Sequence, residues 1–445
     1  MSTTVNNSLS DKKIKPLHGV CNAPLLWSDT SMFHYMTEAG IPYSRLHDTG
    51  GEFGGGIFVD IDNIFPSFDA DETSPSSYDF AFTDHLIKSL VDAGVRPIYR
   101  LGCSIENQQR TVKPRRIFPP RDYEKWARIC EHIIRHYNCG WADGFEFNIE
   151  YWEIWNEPDN QPNPADSPMW LGSKEQFFRL YEVTSNHLKS CFPDIKVGGY
   201  GSCGFYSVLN TTAAQANSSP RTDYFIEFFE DFLKYISCPE HKSPLDFFSW
   251  HSYAGADENA VFAAHARARL DAYGFTHTES ILDEWNSDIA VRGTLADAAN
   301  IGKMLVTMQN SPVDIMAYYD AQWNTPYGGL FSPMTLMPFK AFYVFKAFDA
   351  LYRLGTQTAV EGADELGRLR PAELPALYAL RATDGEKIAL LLVNTGEALS
   401  ITRRPGKGMK ISLIDEEHNL EPIPTPPVGK SFTLAENAIA LLEYK

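Results

Sequence analysis

The residues best suited to chemistry are two glutamates that lie 127 positions apart, Glu157 and Glu284. Each follows a short apolar run, YWEIWN before the first and ILD before the second. Cleavage of a glycosidic bond needs such a pair, because one carboxyl group gives a proton to the leaving oxygen while the other, ionised, attacks or stabilises the anomeric carbon. The pair therefore indicates acid and nucleophile chemistry, provided that the fold brings both side chains to one cleft.

Eight short apolar runs between residues 17 and 350 are the elements that would position these glutamates. Helical stretches separate them, such as Asp122–Tyr137, and Ser173 with Gln176 fits a capping box that opens another helix. Strands that alternate with helices pair in parallel, and eight such units predict a closed (β/α)8 TIM barrel. The predicted strands are Leu17–Asn22, Tyr43–His47, Val95–Leu101, Tyr151–Trp155, Lys196–Gly199, Asp246–His251, Ser280–Trp285 and Asp314–Tyr319.

Polar residues stand at the carboxyl ends of these runs, where a TIM barrel carries its chemistry. Glu157 and Glu284 fall on the fourth and seventh strands, which face each other across the barrel mouth. Glu153 and Asp283 are rival carboxylates, and we expect Glu153 to be a buried partner of Arg45 or Arg100, because strand alternation sets it two residues deeper than Glu157. Other side chains at the strand ends and in the following loops are expected to converge on the same cleft, which makes them candidates for contact with a substrate: His47, Asn156, His251, Tyr253, Tyr319, Asp320 and Trp323.

The character of the sequence changes after residue 350. Helical stripes give way to alternating runs separated by turn residues, which predicts an antiparallel sheet and, most simply, a small β-sandwich over residues 351–445. Residues 17–350 then form the catalytic barrel, and residues 1–16 form an N-terminal tail for which joining the sandwich is one option. The predicted sandwich strands are Leu377–Arg381, Lys387–Val393, Ser400–Arg403, Lys410–Ile414 and Ala438–Tyr444.

The charge and composition of the 445-residue chain exclude some partner classes. A formal net charge of -18 argues against nucleic acid or an anionic membrane as partner, since both require a basic surface. No stretch approaches the roughly 20 apolar residues of a membrane span. The polar segment Met1–Lys15 and seven cysteines without a C-x-x-C pair favour reduced thiols and a cytoplasmic location. A homo-oligomer stays possible.

Neither a cofactor nor a metal is expected. The glycine-rich segment from Gly50 to Gly56 lacks the lysine of a phosphate-binding loop and does not open a helix, so a cleft loop is the better interpretation. The sequence contains no H-E-x-x-H motif and no Cys/His cluster that would hold a metal.

An ordered set of motifs resembles glycoside hydrolase family 39, the family of β-xylosidases and α-L-iduronidases, within a clan of (β/α)8 barrels. The segment WEIWNEP (152–158) resembles the acid/base signature of that clan. Over about residues 17 to 350, VRPIYRLG (95–102), PPRDYEKWARIC (119–130), KVGGYGSCG (196–204), DFFSWHSYAG (246–255) and MPFKAFYVFKAF (337–348) resemble further family segments. A sandwich following the barrel is also typical of the family.

The resemblance implies roles for individual residues. Glu157 would be the general acid/base and Glu284 the nucleophile. Asn156 would bind the sugar hydroxyl next to the anomeric carbon, and His47, His251 and Tyr253 would line the pocket for the terminal sugar. The family retains the anomeric configuration, which implies carboxyl groups about 5–5.5 Å apart.

The sequence also departs from the family pattern near the seventh and eighth strands. LDEWNSD replaces the usual Thr-Glu-Tyr or Thr-Glu-Phe, which leaves the nucleophile in place. The loop AQWNTPYGGLF lacks the acidic pair that holds xylose hydroxyls in the xylosidases. Xylose, arabinose, galactose and a uronic acid therefore stay open as the sugar, and a uronic acid would need a basic residue in the pocket. The candidates to replace the acidic pair are Asp320, Gln322, Trp323, Asn324 and Tyr327.

The leading hypothesis is a retaining exo-glycosidase that removes terminal sugars, such as a β-xyloside, from short oligosaccharides. Two alternatives stay open: a non-catalytic sugar-binding barrel, and a transglycosylase that uses the same glutamates.

Overall fold

The computed structural model describes residues 12–27, 29–49, 58–105, 116–209, 218–369 and 376–445. The glycine-rich segment 50–56 lies outside the described residues. The chain divides into two compact units. One consists of residues 19–286 and 312–328, and the other of residues 1–18, 287–311 and 329–445.

The first unit contains the predicted barrel. Eight strands form a closed sheet in sequence order, with every neighbouring pair parallel. The last strand returns to the first, where Val20 pairs with Tyr318. We number strands from the N-terminus, β1 being Lys12–Lys13, so that the barrel strands are β2 (Gly19–Cys21), β3 (Tyr43–Leu46), β4 (Arg96–Leu101), β5 (Tyr151–Ile154), β6 (Lys196–Ser202), β7 (Phe247–His251), β8 (Glu279–Trp285) and β9 (Ile315–Tyr318).

The prediction of a TIM barrel is thereby confirmed, with differences only at the strand ends. The strands are buried on both faces, which explains why they appear in the sequence as continuous apolar runs. Strand β6 extends to Ser202, further than the predicted Gly199. Its glycines reflect close packing, since a Cβ atom on Gly198 would lie 2.0 Å from the carbonyl oxygen of Phe247. One layer of the barrel interior consists of Tyr43, Ile98, Tyr151, Phe247, Ile281 and Ile315.

Helices connect the strands, and their ends carry the signals expected from the sequence. Ser173 and Gln176 form the predicted capping box, in which each side chain accepts a hydrogen bond from the backbone N–H of the other residue. None of the described helices combines the length and the apolar character required to span a bilayer. The helices are α1 (His34–Glu38), α2 (Ile61–Ile64), α3 (Ala81–Asp92), α4 (Tyr123–Cys139), α5 (Lys174–Cys191), α6 (Pro220–Ser237), α7 (Ala256–Ala272), α8 (Leu295–Gln309) and α9 (Lys340–Leu354).

The second unit combines α8 and α9 with antiparallel strands. Seven strands form one sheet in the order β1-β10-β11-β12-β17-β14-β15, and β13 pairs with β16 as a separate ladder. Both contribute to one apolar cluster that includes Leu392, Ile411 and Phe432. The strands are β10 (Thr356–Thr358), β11 (Leu377–Thr383), β12 (Ile388–Asn394), β13 (Leu399–Thr402), β14 (Lys410–Ile414), β15 (Asn419–Ile423), β16 (Ser431–Leu434) and β17 (Ile439–Tyr444).

Candidate active site

A polar cavity of about 590 Å³ contains both glutamates singled out by the sequence. It lies within the barrel unit, at the carboxyl ends of the strands. The described residues that line it are His47, Asp48, Ile105, Ile117, Asn156, Glu157, Asn160, Gln161, Ala165, Asp166, Ser167, Pro168, Arg221, Tyr253, Glu284, Tyr319 and Tyr327.

Glu157 follows β5 in a backbone conformation that few non-glycine residues adopt, with φ of 45°. Its N–H is directed to the end of β6, 3.0 Å from the Tyr200 carbonyl oxygen. One carboxylate oxygen, Oε1, lies 2.8 Å from Nδ1 of His251, and the other, Oε2, accepts a 2.7 Å hydrogen bond from Asn160. These contacts fix the carboxyl group from two sides.

Glu284 lies near the end of β8 and is 5% exposed. Its Oε1 accepts a hydrogen bond from Nη1 of Arg45 at 2.8 Å, and its Oε2 accepts one from the Tyr253 hydroxyl at 2.9 Å. One carboxylate oxygen from each of Glu157 and Glu284 and one ring nitrogen of His251 all lie within 4.8 Å of one another. The barrel therefore brings the two glutamates together across its mouth.

Arg45, fully buried on β3, connects the acidic groups around the site. Besides Glu284, its guanidinium donates to Oε2 of Glu153 at 2.8 Å and to Oδ1 of Asn156 at 2.6 Å. It also lies 3.0 Å from Oδ2 of Asp283. The expected pairing of Glu153 with Arg45 is observed, whereas Arg100 pairs with Asp60 instead.

The rival carboxylates Glu153 and Asp283 lie together near Arg45. Burial and the charge of Glu153 raise the pKa of Asp283 well above its usual range, although Arg45 acts in the opposite direction. Burial also acts to raise the pKa of Glu153, but the charge of Arg45 and hydrogen bonds from Asp283 and Ser249 outweigh it and lower that pKa. These opposite shifts make Asp283 the more readily protonated member of the pair.

His251 sets the electrostatics around Glu157. Its pKa is raised because the negative charges of Glu284 and Glu157 outweigh its burial. For Glu157, burial acts to raise the pKa, but the hydrogen bond and charge of His251 and the hydrogen bond from Asn160 outweigh it, so the pKa is lowered. These opposite shifts favour the proton on His251, whose Nδ1 lies 2.8 Å from Oε1 of Glu157.

A third carboxyl group, that of Asp48, also lines the cavity. It accepts hydrogen bonds from the Ile105 N–H at 2.9 Å and the Tyr319 hydroxyl at 3.0 Å, and it lies 3.3 Å from Nε2 of His47. Burial raises the pKa of Asp48 to about 7, although the Ile105 hydrogen bond acts against it. Burial and the nearby charge of Arg100 hold the pKa of His47 well below its usual range, so its ring is neutral.

Two residues of the predicted binding set, Asp320 and Trp323, are not among the described residues that line the cavity. Asp320 is fully buried, and its carboxylate accepts hydrogen bonds from Asn22, Gln322 and Thr325. Trp323 donates from its indole nitrogen to the Leu25 carbonyl oxygen at 2.6 Å. His251 is not a lining residue either, but it contacts both glutamates.

Three functional candidates were not assigned a role from the sequence: Asp48, Asn160 and Arg221. Asp48 directly follows the predicted strand Tyr43–His47, so its position at a strand end could have indicated a place in the site. Asn160 and Arg221 come from connecting segments, where no periodic pattern reports the direction of a side chain. Of the predicted set, His47, Asn156, Tyr253 and Tyr319 line the cavity together with the two glutamates.

Comparison with known families decides the classification. The sequence model of glycosyl hydrolases family 39 matches residues 27–347. The chain belongs to glycosyl hydrolase family 39. Its resemblance to that family, drawn from the motifs alone, is therefore confirmed.

Two relatives named as β-xylosidases resemble the chain at modest identity. A β-xylosidase of Geobacillus stearothermophilus is 25% identical over 338 residues, which cover 67% of this chain and 61% of the relative. A β-xylosidase of Caldicellulosiruptor saccharolyticus is 22% identical over 395 residues, covering 82% of this chain and 71% of the relative. The chain thus spans less than two thirds of the length of the first of these relatives.

Solved structures agree with the fold over nearly the whole chain. A glucosidase from Croceicoccus marinus superimposes with a TM-score of 0.73 at 21% identity, covering 97% of this chain and 96% of the other. A family 39 β-xylosidase from Caulobacter crescentus gives a TM-score of 0.65 at 15% identity with the same coverage. At these identities the likeness establishes the architecture, a TIM barrel with an antiparallel sheet.

Proposed function

We propose that this family 39 protein is a retaining exo-glycosidase of the β-xylosidase type, with Glu284 as nucleophile and Glu157 as general acid/base. The proposal rests on one distance. A carboxylate oxygen of Glu157, a ring nitrogen of His251 and a carboxylate oxygen of Glu284 all lie within 4.8 Å of one another. Retaining enzymes hold their carboxyl groups about 5–5.5 Å apart, while inverting enzymes need about 6.5–9.5 Å for an intervening water. Two relatives named as β-xylosidases support the type of substrate.

In the first step, Oε of Glu284 attacks the anomeric carbon while Glu157 protonates the glycosidic oxygen. The bond between the anomeric carbon and that oxygen breaks, the aglycone leaves as an alcohol, and a glycosyl ester forms on Glu284. Arg45 and Tyr253 donate hydrogen bonds to Glu284, which keeps the carboxylate in a fixed orientation for attack. The proton needed by Glu157 is available from His251, at 2.8 Å.

In the second step, Glu157 is ionised and takes a proton from an incoming water. The water oxygen attacks the anomeric carbon, the ester bond to Glu284 breaks, and the sugar leaves with its original configuration. Asn156 lies beside this centre, with Oδ1 held by Arg45 at 2.6 Å, which directs its amide group toward a sugar hydroxyl. Such a contact strengthens as charge develops in the transition state.

The group that binds the terminal sugar would comprise His47, Asp48, Asn156, Tyr253 and Tyr319. Asp48 supplies the carboxylate that the loop after β9 does not provide, and it is fixed by Tyr319 and Ile105. A cytoplasmic location, predicted from the sequence, would make short imported oligosaccharides the natural substrates.

The test is a panel of aryl glycosides covering both anomers of xylose, arabinose, galactose and a uronic acid, assayed with the wild type and with Glu284→Ala and Glu157→Ala. Loss of the nucleophile is expected to lower kcat by several orders of magnitude on every substrate, because both steps need it. Loss of the acid is expected to spare the first step on dinitrophenyl glycosides, whose leaving groups need no proton. Proton NMR of the first product should show the anomer of the substrate.

Circular dichroism and thermal unfolding serve as the control that both variants remain folded. Near-normal turnover by either folded variant would refute the assignment of roles, and an inverted first product would refute retention. Sugar binding by calorimetry without turnover of any glycoside would instead favour a non-catalytic barrel.

A further inference from the structure

The charge distribution in the catalytic cavity is uneven. Four carboxyl groups line it, those of Asp48, Glu157, Asp166 and Glu284. Among the described lining residues, Arg221 is the one with a permanent positive charge.

Arg221 lies in the first turn of α6 and is held in place by uncharged groups. Its Nε donates to the backbone carbonyl oxygen of Asn160 at 2.7 Å, and its Nη2 donates to Oδ1 of the same residue at 3.2 Å. The guanidinium also packs over the Phe225 ring, 5.1 Å from its centroid. Within the described part of the chain, no carboxylate forms an ion pair with Arg221, so its remaining N–H groups and its charge are available to a ligand.

The position of Arg221 relative to Glu157 assigns it to one side of the reaction. Oε1 of Glu157 contacts His251, which in turn lies 3.5 Å from Glu284, whereas Oε2 contacts Asn160. Arg221 binds Asn160 and is thus connected to Glu157 through Oε2, the oxygen that His251 does not contact. The general acid separates the terminal sugar, held over the nucleophile, from the leaving group, and from this chain of contacts we assign Arg221 to the leaving-group side.

We propose that this cavity selects substrates whose leaving group is an acidic sugar, with Arg221 binding the carboxylate of a uronic acid unit next to the scissile bond. The inference rests on the proposed glycosidase function. A planar guanidinium presents paired donors that match the two oxygens of a carboxylate. On the terminal-sugar side, the described lining residues offer a uronic acid no second permanently charged cation.

The carboxylate of Asp166 also lines the cavity and acts against the binding of an acidic sugar. Asp166 lines the cavity next to Ser167, and its Oδ2 accepts a 2.8 Å hydrogen bond from the Asn163 side chain of its own turn. It makes no ion pair with Arg221 within 4.0 Å, the distance limit for a salt bridge, and thus does not neutralise it. Its repulsion would weaken, but not reverse, the preference that Arg221 creates.

The experiment compares two disaccharides that carry the same terminal sugar and linkage, one on glucose and one on glucuronic acid. They differ only in a hydroxymethyl group against a carboxylate, so the ratio of their kcat/KM values isolates recognition of the charge. The wild type is expected to favour the glucuronic acid substrate, and the preference should fall as salt concentration rises, because salt screens an exposed charge.

Arg221→Gln is expected to lower this ratio about tenfold, the effect of losing roughly one charged hydrogen bond. Arg221→Lys should keep part of the preference for the glucuronic acid substrate, since it keeps the charge but not the paired N–H donors of the guanidinium. Asp166→Asn should increase the preference, because it removes a repelling carboxylate. Arg404→Gln, an exposed change of equal charge in the other unit, should leave the ratio unaltered.

A wild-type ratio at or below one, or a ratio that Arg221→Gln leaves unchanged, would overturn the proposal. Failure of the glycosidase function itself would appear differently, as absence of turnover of neutral aryl glycosides by the wild type.

Discussion

At the residue scale, Arg45 determines how so many acidic groups can be buried in one place. It contacts Glu153 and Glu284 at 2.8 Å and Asp283 at 3.0 Å, and all four side chains are buried. Burying charge is costly unless it is paired and hydrogen-bonded. The raised pKa of Asp283 favours its neutral form, which reduces the negative charge that Arg45 has to balance.

Arg45→Met is expected to lower the free energy of unfolding by about 3–5 kcal/mol, because it leaves buried carboxylates without their partner. Urea unfolding monitored by circular dichroism measures this loss. Arg45→Lys keeps a positive charge but lacks the several N–H donors of the guanidinium. It should therefore recover part of the stability lost in Arg45→Met, while its kcat stays below that of the wild type. A methionine variant as stable as the wild type would contradict this account of the cluster.

The sequence predicted the catalytic pair better than its surroundings. Glu157 and Glu284 stand at strand ends in motifs, so their convergence followed from barrel topology. Arg45 was expected only as a structural partner, because the direction and reach of a long side chain cannot be derived from strand spacing. Asp320 was expected in the binding set from its place after β9, yet its carboxylate is satisfied by neighbouring donors away from the cavity.

At the element scale, Asp159 connects the loop after β5 to the end of β6. Its carboxylate accepts hydrogen bonds from the Ser202 hydroxyl at 2.8 Å and the Cys203 N–H at 3.2 Å. It is fully buried, and burial raises its pKa to about 7 despite the Ser202 hydrogen bond. The two strand ends that surround Glu157 are thus joined by a group that titrates near neutrality.

This connection makes the stability of the fold depend on pH. The pKa of Asp159 is higher in the folded than in the unfolded chain, so the folded state binds more protons between the two values. The contribution is present at low pH and is lost as pH rises through about 7. Asp159→Asn removes the titration, so the stability of the variant relative to the wild type should improve by about 2 kcal/mol between pH 5.5 and 8.

Urea unfolding of both proteins at the two pH values tests this expectation. An equal stability difference at both pH values would indicate that Asp159 does not titrate in this range. Asp194→Asn serves as the control, because it removes a surface carboxylate on the turn before β6. Its stability relative to the wild type should be the same at both pH values.

Strand prediction was incomplete only in the second unit, which contains the antiparallel strands. The five predicted strands there are present, but β10, β15 and β16 were missed. Strand β15 contains Pro422, which argues against a strand in sequence reasoning and is tolerated at this edge of the sheet. Strand β10 has three residues, too few for alternation to be recognised, whereas β16 alternates between exposed and buried residues and carried a signal that the sequence analysis did not use.

At the scale of the whole molecule, all seven cysteines are free thiols. Four of them, Cys21, Cys103, Cys130 and Cys203, are buried. Packing and hydrogen bonding, without covalent cross-links, therefore hold the described chain together.

The midpoint of thermal unfolding should accordingly be the same with and without dithiothreitol. Loss of a native disulfide typically costs about 2–5 kcal/mol, which would lower the midpoint by several degrees. Mass spectrometry after alkylation in denaturant should count seven modified thiols in the unreduced protein. A lower midpoint in reductant would reveal a cross-link.

The closure of the barrel between Val20 and Tyr318 has a consequence for biosynthesis. The first barrel strand leaves the ribosome long before its second neighbour is made, and at about 5–20 residues per second the delay is roughly 15–60 seconds. During that time one edge of the nascent sheet has unpaired backbone groups, which invite association with other chains. Mutations in β9 are therefore expected to reduce the yield of protein in cells more than the stability of molecules that have completed folding.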